Sequence, residues 1–318
     1  MKSTSLRAVA VLAAGALALT ACGSDDANTD PGAKTLEKIE VSGGSDTKAP
    51  TVKLPSSPFT VETSATRVID EGDGEVTTDK QIVQTEYVLL NGKDGKSLDD
   101  TYKAEIAPTF DLSNEQLMPG LKKALTGQKV GSRIVSAMAP ADAFGDTGSE
   151  QLGIGATDTL ILVADIKKIV EVKEKADGKP VAAKAGLPTV KVSDDKAATF
   201  TMPKGLTTPK TTIAQNLLAG DGDTVEKGKT IYVHYTGATL KNNKVFDSSV
   251  ERGTPFSFTV GQGQVIKAWD EDLIGKKVGD RVLLIVPPAD GYGKTGNESG
   301  GIKGTDVLVF VVDILGVA

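Results

Sequence analysis

The sequence predicts an α+β fold with a mostly antiparallel sheet, and predicts it twice within 318 residues. Residues 230–235 alternate apolar and polar side chains, which indicates a half-buried strand. Ile266, Trp269 and Leu273 recur at helical spacing, which indicates a short helix with one apolar face that ends at Gly275. The motif DAFGDTG at residues 142–148 returns as DGYGKTG at an offset of 148 residues, so the whole pattern is duplicated.

Further strand signals lie on both sides of the helix in the carboxy-terminal half. Residues 241–244 indicate a turn. The other strand-like runs are residues 245–249, 255–260, 281–287 and 307–315, and a glycine-rich loop spans residues 289–304. Many strands and one short helix predict a twisted sheet wrapped over that helix, which would bury both apolar faces.

The duplication covers a whole domain rather than a short motif. The same offset pairs residues 72–74 with 220–222, 130–131 with 278–279, and 157–158 with 305–306. Pro55 and Pro203 obey it too, so each unit is expected to have an extended arm ahead of its core. Residues 171–187, between the units, are charged and non-periodic and are interpreted as a linker.

The first residues are typical of an export signal rather than of a folded element. Lys2 and Arg7 precede an apolar run over residues 8–19, which is shorter than the roughly 20 residues that cross a bilayer. Residues 19–22 (LTAC) resemble a bacterial lipobox, in which the cysteine becomes the lipidated amino terminus. Cys22 is also the only cysteine of the chain. The alternative is a buried helix with an incidental cysteine.

These observations predict the following order along the chain. The chain is expected to begin with a lipoprotein signal peptide at residues 1–22, followed by a flexible tether at 23–36, a first unit at 37–170, a linker at 171–187 and a second unit at 188–318. The expected location is outside the cytoplasm, on the cell membrane, through a lipid on Cys22 alone.

Composition excludes several classes of function. A net charge of −6 with no basic block argues against nucleic-acid binding. A nucleophilic triad would need His234, the one histidine, which strand alternation directs away from Tyr235. No metal-ligand cluster with recognisable spacing occurs, so neither a metal nor a cofactor is predicted.

Six short motifs of the second unit stand in a characteristic order. They are residues 233–237 (VHYTG), 246–249 (FDSS), 255–258 (PFSF), 265–269 (VIKAW), 292–293 (YG) and 308–310 (LVF). Together they resemble the FKBP family of peptidyl-prolyl cis–trans isomerases over residues 220–318. The resemblance implies a half-barrel of five or six antiparallel strands around one short helix, with a shallow apolar pocket between helix and sheet.

The resemblance also implies the site residues. Those assigned to catalysis are Tyr235, Asp247, Trp269 and Tyr292, with Trp269 as the pocket floor. Those assigned to substrate binding are Phe246, Phe256, Val265, Ile266, Ile302 and Phe310. Asn297 departs from the family pattern, because well-known members have a histidine at this flap position.

A structural interpretation competes for each of these side chains. Aromatic residues at strand or helix spacing usually belong to a core, and Phe258 is expected to do so. Tyr235 and Asp247 could form a satisfied buried polar pair that still faces the pocket.

The first unit departs from the motif. Its equivalent positions are Tyr87, Leu98, Asp99, Pro108, Phe110, Leu117, Met118, Leu121, Phe144 and Leu162. The tyrosine and aspartate remain, but most of the aromatic side chains are replaced. The same fold with weak or absent isomerase activity is therefore expected, with a role in substrate holding or as a spacer.

The resulting hypothesis is an isomerase that assists the folding of exported proteins. Its expected partners are proline-containing polypeptides, and the resemblance suggests that macrolides such as rapamycin would occupy the site. The main alternative is a non-catalytic peptide-binding or holdase lipoprotein. A lipoprotein that binds a small apolar ligand is a third.

Overall fold

The computed structural model describes residues 31–45, 47–103 and 107–318, and the side chains from residue 34 onward. Its first unit contains α1 Pro31–Leu36, β1 Glu40–Ser42, β2 Thr51–Lys53, β3 Ala65–Asp70, β4 Ile82–Asn91, β5 Ser97–Asp100, β6 Thr109–Asp111, α2 Pro119–Leu125, β7 Arg133–Met138 and β8 Leu160–Val170. The first sheet is ordered β3-β7-β8-β4-β5, and β6 also pairs with β4.

The second unit repeats this arrangement. Its elements are β9 Lys179–Pro180, β10 Thr189–Lys191, β11 Thr199–Thr201, β12 Ile213–Ala219, β13 Thr230–Thr239, β14 Val245–Ser248, α3 Ser249–Arg252, β15 Phe256–Thr259, α4 Lys267–Asp272, β16 Arg281–Val286 and β17 Leu308–Val317. The sheet is ordered β14-β13-β17-β16-β12-β9, and β15 also pairs with β13.

The two sheets share their register as well as their order. Tyr87 lies opposite Ala164, and Tyr235 lies opposite Val312, in antiparallel ladders. Both pairs obey the offset of 148 residues. The predicted α+β fold, with a mostly antiparallel sheet over a short helix in each unit, is confirmed. The second sheet has seven strands rather than five or six, because β9 extends its edge, and each unit contains a further short helix, α1 or α3.

The concave face of the second sheet holds the main core of that unit. Trp269 and Leu273 of the α4 segment are buried against Val233, Val282 and Val312 of the strands. Burial of large apolar side chains of this kind contributes roughly 1.5–3 kcal/mol each. The equivalent core of the first unit is built around α2.

The outer face of each sheet is covered as well. The hairpin β1–β2 precedes the first sheet and the hairpin β10–β11 precedes the second, where the repeated prolines led us to expect an extended arm. Phe200 of β11 packs with Ala238 and Val309, and Tyr232 packs with Val170. The expectation of a half-buried strand over residues 230–235 is therefore wrong, because most of the outer face of β13 is covered.

The segment interpreted as a linker lies against the second unit. Within it, β9 pairs with β12, and the backbone N–H of Ala176 donates to Asp313 Oδ2 at 3.1 Å. The units also meet directly, because Tyr232 Oη donates to Thr109 Oγ1 at 2.8 Å. In the described ranges, no helix combines the length and the apolar character needed to cross a membrane.

Candidate active site

A cavity of about 580 Å³ opens between α4 and the concave face of the second sheet. It is lined by Tyr235, Phe246, Asp247, Phe256, Gln264, Val265, Ile266, Lys267, Trp269, Gly291, Tyr292 and Phe310. All the site residues that the sequence predicts in this unit are among them except Ile302. The volume lies in the range of ordinary ligand pockets, and the lining is mostly apolar with a few polar groups.

Trp269 forms the base of this cavity and is held by other rings. Its ring centroid lies 4.8 Å from Tyr235, 5.4 Å from Phe310 and 5.8 Å from Phe258. The first two contacts are edge-to-face, a favoured aromatic geometry that contributes roughly 0.5–1.5 kcal/mol per pair. Phe258 is buried and does not line the cavity, so its expected place in the core is confirmed.

Contacts around α4 hold this floor in place. The backbone N–H of Gly261 donates to Asp270 at 2.7 Å, so the preceding loop is fastened to the helix. Lys267 Nζ lies 3.0 Å from the carboxylate of Asp290. The Asp290 carboxylate also accepts a hydrogen bond from the backbone N–H of Thr212 at 3.2 Å. Because Asp290 begins the glycine-rich loop, these bonds fix the floor relative to that loop.

Gly237 gives two of the aromatic side chains their space. A Cβ atom at this position would lie 2.7 Å from ring atoms of both Phe246 and Phe310, far inside van der Waals contact. The two rings pack edge-to-face across the strand, with centroids 5.6 Å apart. The glycine of the VHYTG motif is therefore required by the side chains that line the cavity.

The polar side of the cavity is a network of three residues. Tyr235 Oη donates to one oxygen of Asp247, and Arg252 donates to the other. Arg252 also donates to Tyr235 Oη at 3.1 Å, and its guanidinium carbon lies 5.7 Å from the Tyr235 ring centroid. Burial, followed by the bond to Asp247, raises the pKa of Tyr235 to about 12. The hydroxyl is therefore protonated at neutral pH.

Arg252 is a residue of this network that the sequence reasoning missed. It ends α3, a helix of four residues that begins at the last serine of the FDSS motif. The only available signal was its position five residues after Asp247, which is too common a spacing to be informative.

The glycine-rich loop, residues 289–304, completes the site. Tyr292 is half-buried at the cavity, and burial raises its pKa above the ordinary value. Asn297 and Ile302 exchange both of their backbone hydrogen bonds at 2.8 Å. The Ile302 side chain belongs to the core and lies outside the cavity lining, so its role in substrate binding stays a prediction.

His234 lies on the other side of β13 from Tyr235, as alternation along the strand predicts. Its Nδ1 is 2.9 Å from Ser249 Oγ, and His234 is not among the residues that line the cavity. Cys22, the predicted lipidation site, lies outside the described residues.

The equivalent positions of the first unit keep the polar pair but change its surroundings. Tyr87 Oη donates to Asp99 at 2.6 Å, as its counterpart does in the second unit. Leu121 replaces the tryptophan floor, and Leu89 replaces Gly237. Leu89 is partly buried and packs against the core of the first unit.

Comparison with known proteins agrees with this geometry. The FKBP-type peptidyl-prolyl cis-trans isomerase family matches residues 74–167 and 222–315. FK506-binding protein 2 of Dictyostelium discoideum is 48% identical over 92 residues, which cover 29% of this chain and 68% of that protein. The FK506-binding protein of Streptomyces anulatus is 41% identical over 103 residues, which cover 32% of this chain and 83% of that protein.

A plant relative has a name that states the activity. Peptidyl-prolyl cis-trans isomerase FKBP15-2 of Arabidopsis thaliana is 47% identical over 91 residues, which cover 29% of this chain and 55% of that protein. The two family matches together cover more than half of the chain. The chain therefore belongs to the FKBP-type peptidyl-prolyl cis–trans isomerase family, contains the family's domain twice, and is an enzyme of this class.

Proposed function

We propose that the second unit carries the isomerase activity and that its cavity binds X-Pro segments of polypeptides. The observation that supports this most is the open aromatic cavity over Trp269, beside the network of Tyr235, Asp247 and Arg252. A peptide bound there would place the proline ring against the indole and the preceding amide among the rings.

Such a cavity can accelerate rotation without making or breaking a bond. The barrier to rotation about a peptide bond is roughly 18–20 kcal/mol, because the planar amide is stabilised by resonance. Twisting the amide removes that resonance and reduces its dipole. An apolar site therefore favours the twisted amide over the planar one, and each tenfold in rate requires about 1.4 kcal/mol of this preference.

The state of the two tyrosines gives them different roles. The Tyr235 hydroxyl already donates to Asp247 and is not available to the substrate. The Tyr292 hydroxyl belongs to the glycine-rich loop at the cavity, and its raised pKa keeps it protonated at neutral pH. We assign it as a donor to a carbonyl group of the bound peptide.

The clients are proposed to be exported proteins. The sequence supports this through the amino-terminal pattern alone, in which Cys22 follows a short apolar run. A lipid on Cys22 would hold both units at the outer face of the cell membrane. The chain would then meet polypeptides that fold after export, when slow prolyl rotation limits folding.

Macrolide ligands are proposed for the same cavity. Two of the relatives are named for binding FK506, and the open, mostly apolar cavity of this chain suits a bulky apolar ring system. A macrolide such as rapamycin is expected to compete with the peptide substrate.

The first unit is proposed to hold polypeptides without catalysing rotation. Leu98, Leu121 and Phe144 are half-buried and pack against the same core as Tyr87, so an apolar surface remains without the aromatic floor. This observation also supports the alternative that the chain acts as a peptide-binding or holdase lipoprotein.

The decisive experiment measures isomerisation of a proline peptide by the full chain and by matched variants. Trp269→Leu gives the second unit the residue that the first unit has, and kcat/KM is expected to fall by about tenfold or more. Leu121→Ala, the equivalent position of the first unit, is expected to leave kcat/KM unchanged. No loss in Trp269→Leu, or an equal loss in both variants, would contradict the assignment.

The anchor has its own experiment. The chain with Cys22→Ser is expected to leave the membrane fraction and appear in the soluble fraction with its isomerase activity intact. Membrane retention of this variant would contradict the lipid anchor and would not affect the active-site proposal.

A further inference from the structure

We propose that His234 is a positioning residue, which holds the active-site network from the far side of the sheet only while its imidazole is neutral. The inference rests on the proposed role of the second unit. It makes the activity sensitive to acid through a group that never touches the substrate.

The hydroxyl of Ser249 connects the two sides of β13. Its Oγ accepts the backbone N–H of Tyr235 at 2.8 Å and lies 2.9 Å from His234 Nδ1. Its own proton can go to His234 Nδ1 or to the Tyr235 carbonyl oxygen, which is 3.5 Å away. We assign Nδ1 as the acceptor, because the hydroxyl then donates over the shorter of its two distances. In this assignment Nδ1 carries a lone pair and the ring proton is on Nε2.

Protonation of the ring removes that acceptor. An imidazolium donates from both nitrogens, so the Ser249 proton has to turn toward the distant Tyr235 carbonyl group. Ser249 is the first residue of α3 and Arg252 is the last. A shift of Ser249 therefore moves both Tyr235 and Arg252, which are two of the three members of the network.

Charged groups from several elements surround the imidazole. Asp313 of β17 lies opposite His234 in the ladder and is paired with Arg281 of β16 at 2.6 Å. Arg252 of α3 acts on it electrostatically. The cavities behind His234 are also lined by charged side chains of the preceding segments, namely Glu174, Lys175, Asp194 and Lys196.

Burial is the largest influence on the pKa of His234 and lowers it, Asp313 opposes this, and Arg252 adds to it. The neutral ring is therefore favoured in the folded protein. Its contribution to stability and geometry is complete above the ordinary value of 6.5 and is lost as the pH falls through the lowered pKa.

The first unit provides a natural control at the equivalent position. Thr101 Oγ1 accepts the backbone N–H of Tyr87 at 2.8 Å and donates to Glu86 Oε2 at 2.7 Å. The geometry is the same, but a carboxylate stands where the second unit has the imidazole. The imidazole thus belongs to the unit with the aromatic cavity.

The experiment compares two titrations of the full chain. Because the sequence contains one histidine, a single NMR titration reports the pKa of His234. In a protease-free assay with a peptide that has no titratable side chain, kcat/KM is expected to fall by about threefold to tenfold on acidification, the range that loss of one hydrogen bond produces. The midpoint of the NMR titration and the midpoint of the fall in kcat/KM are expected to coincide, at a pH where circular dichroism shows a folded chain.

Two variants complete the experiment. His234→Asn keeps an acceptor near the position of Nδ1 and does not titrate, so its pH profile is expected to be flat in this range. Glu86→Gln is expected to keep the wild-type profile. An unchanged acid limb in His234→Asn, or NMR and kinetic midpoints more than about one pH unit apart, overturns the inference.

If His234→Asn does not fold, the wild-type chain alone tests the inference. The midpoint of its NMR titration and the midpoint of its kcat/KM profile then either coincide, as the inference requires, or differ and overturn it. Failure of this inference is distinguishable from failure of the proposed function. The proposed function is tested by the kcat/KM of Trp269→Leu at neutral pH, where His234 is neutral both in this variant and in the wild-type chain.

Discussion

The two units share one arrangement of helix and sheet but place different side chains in the space between them. In the second unit, glycine at position 237 lets Phe246 and Phe310 pack across the strand, and their rings line an open cavity. In the first unit, Leu89 stands at the glycine position and leucines replace both phenylalanines.

The comparison shows that the cavity depends on size relations among side chains rather than on the fold. Large rings that rest edge-to-face on one another keep a cavity open, because no ring can move into it without losing aromatic contacts. Smaller aliphatic side chains over the same strands cannot form that lining. The fold is thus shared, while the aromatic lining belongs to the second copy.

The largest expected effect comes from giving the second unit the leucine of the first. Gly237→Leu would place a side chain where even a Cβ atom is 2.7 Å from Phe246 and Phe310. The rings would be pushed into the cavity, and kcat/KM is expected to fall by about a hundredfold, with about 1–3 kcal/mol of stability lost to overpacking. Steady-state kinetics and thermal unfolding measure the two effects.

The control for this variant is Leu89→Ala. It is expected to cost stability through lost packing but to leave the activity unchanged. Normal activity in Gly237→Leu would show that these rings do not line the reactive site.

Stability at alkaline pH tests the hydrogen-bonded pair of Tyr235 and Asp247. The pKa of Tyr235 is raised from the ordinary value of 10 to about 12, mainly by burial. The resulting stability is complete below pH 10 and is lost as the pH rises from 10 to about 12. The loss is expected to reach up to about 2 kcal/mol, measured by denaturant unfolding at several pH values.

Tyr235→Phe is expected to remove part of this alkaline loss. Burial also raises the pKa of Tyr87. Tyr87→Phe should therefore have a similar effect on stability without an effect on activity. An alkaline transition that neither variant alters would contradict the assignment to these hydroxyl groups.

Removing the carboxylate that the two units share, Asp247 or its equivalent Asp99, tests which unit is active. Asp247→Ala leaves Tyr235 Oη and Arg252 without their common acceptor, and kcat/KM is expected to fall by about tenfold, as loss of more than one hydrogen bond predicts. Asp99→Ala removes the equivalent acceptor of Tyr87 and is expected to leave kcat/KM unchanged. A comparable fall in both variants would mean that both units are active.

The smallest effect is expected at the junction of the units. Tyr232→Phe removes the hydroxyl that bonds Thr109 and keeps the packing against Val170, so about 1 kcal/mol of stability is expected to be lost without loss of activity. Thermal unfolding measures the change. The double variant with Thr109→Val should cost little more than Tyr232→Phe alone, and additive costs would contradict a direct bond.

Local patterns predicted most elements of the second unit but not all of them. Strands β13, β14, β15, β16 and β17 and the helix α4 lie where periodicity placed them, within a few residues. The sequence of β12 does not alternate, and α3 is too short to show a period, so neither was predicted. β9 lies in the predicted linker because its partner strand, not its composition, makes it a strand.

By itself, the sequence determined that a sheet-and-helix unit occurs twice and that one copy holds the aromatic side chains of the cavity. Period and duplication are properties of neighbouring residues and of a constant offset, so they can be read along the chain. Only the tertiary structure decided that Arg252 joins Tyr235, that Ile302 lies in the core, and that Ser249 connects His234 to the network. Each depends on strand register and loop path, which bring together residues that no local pattern relates.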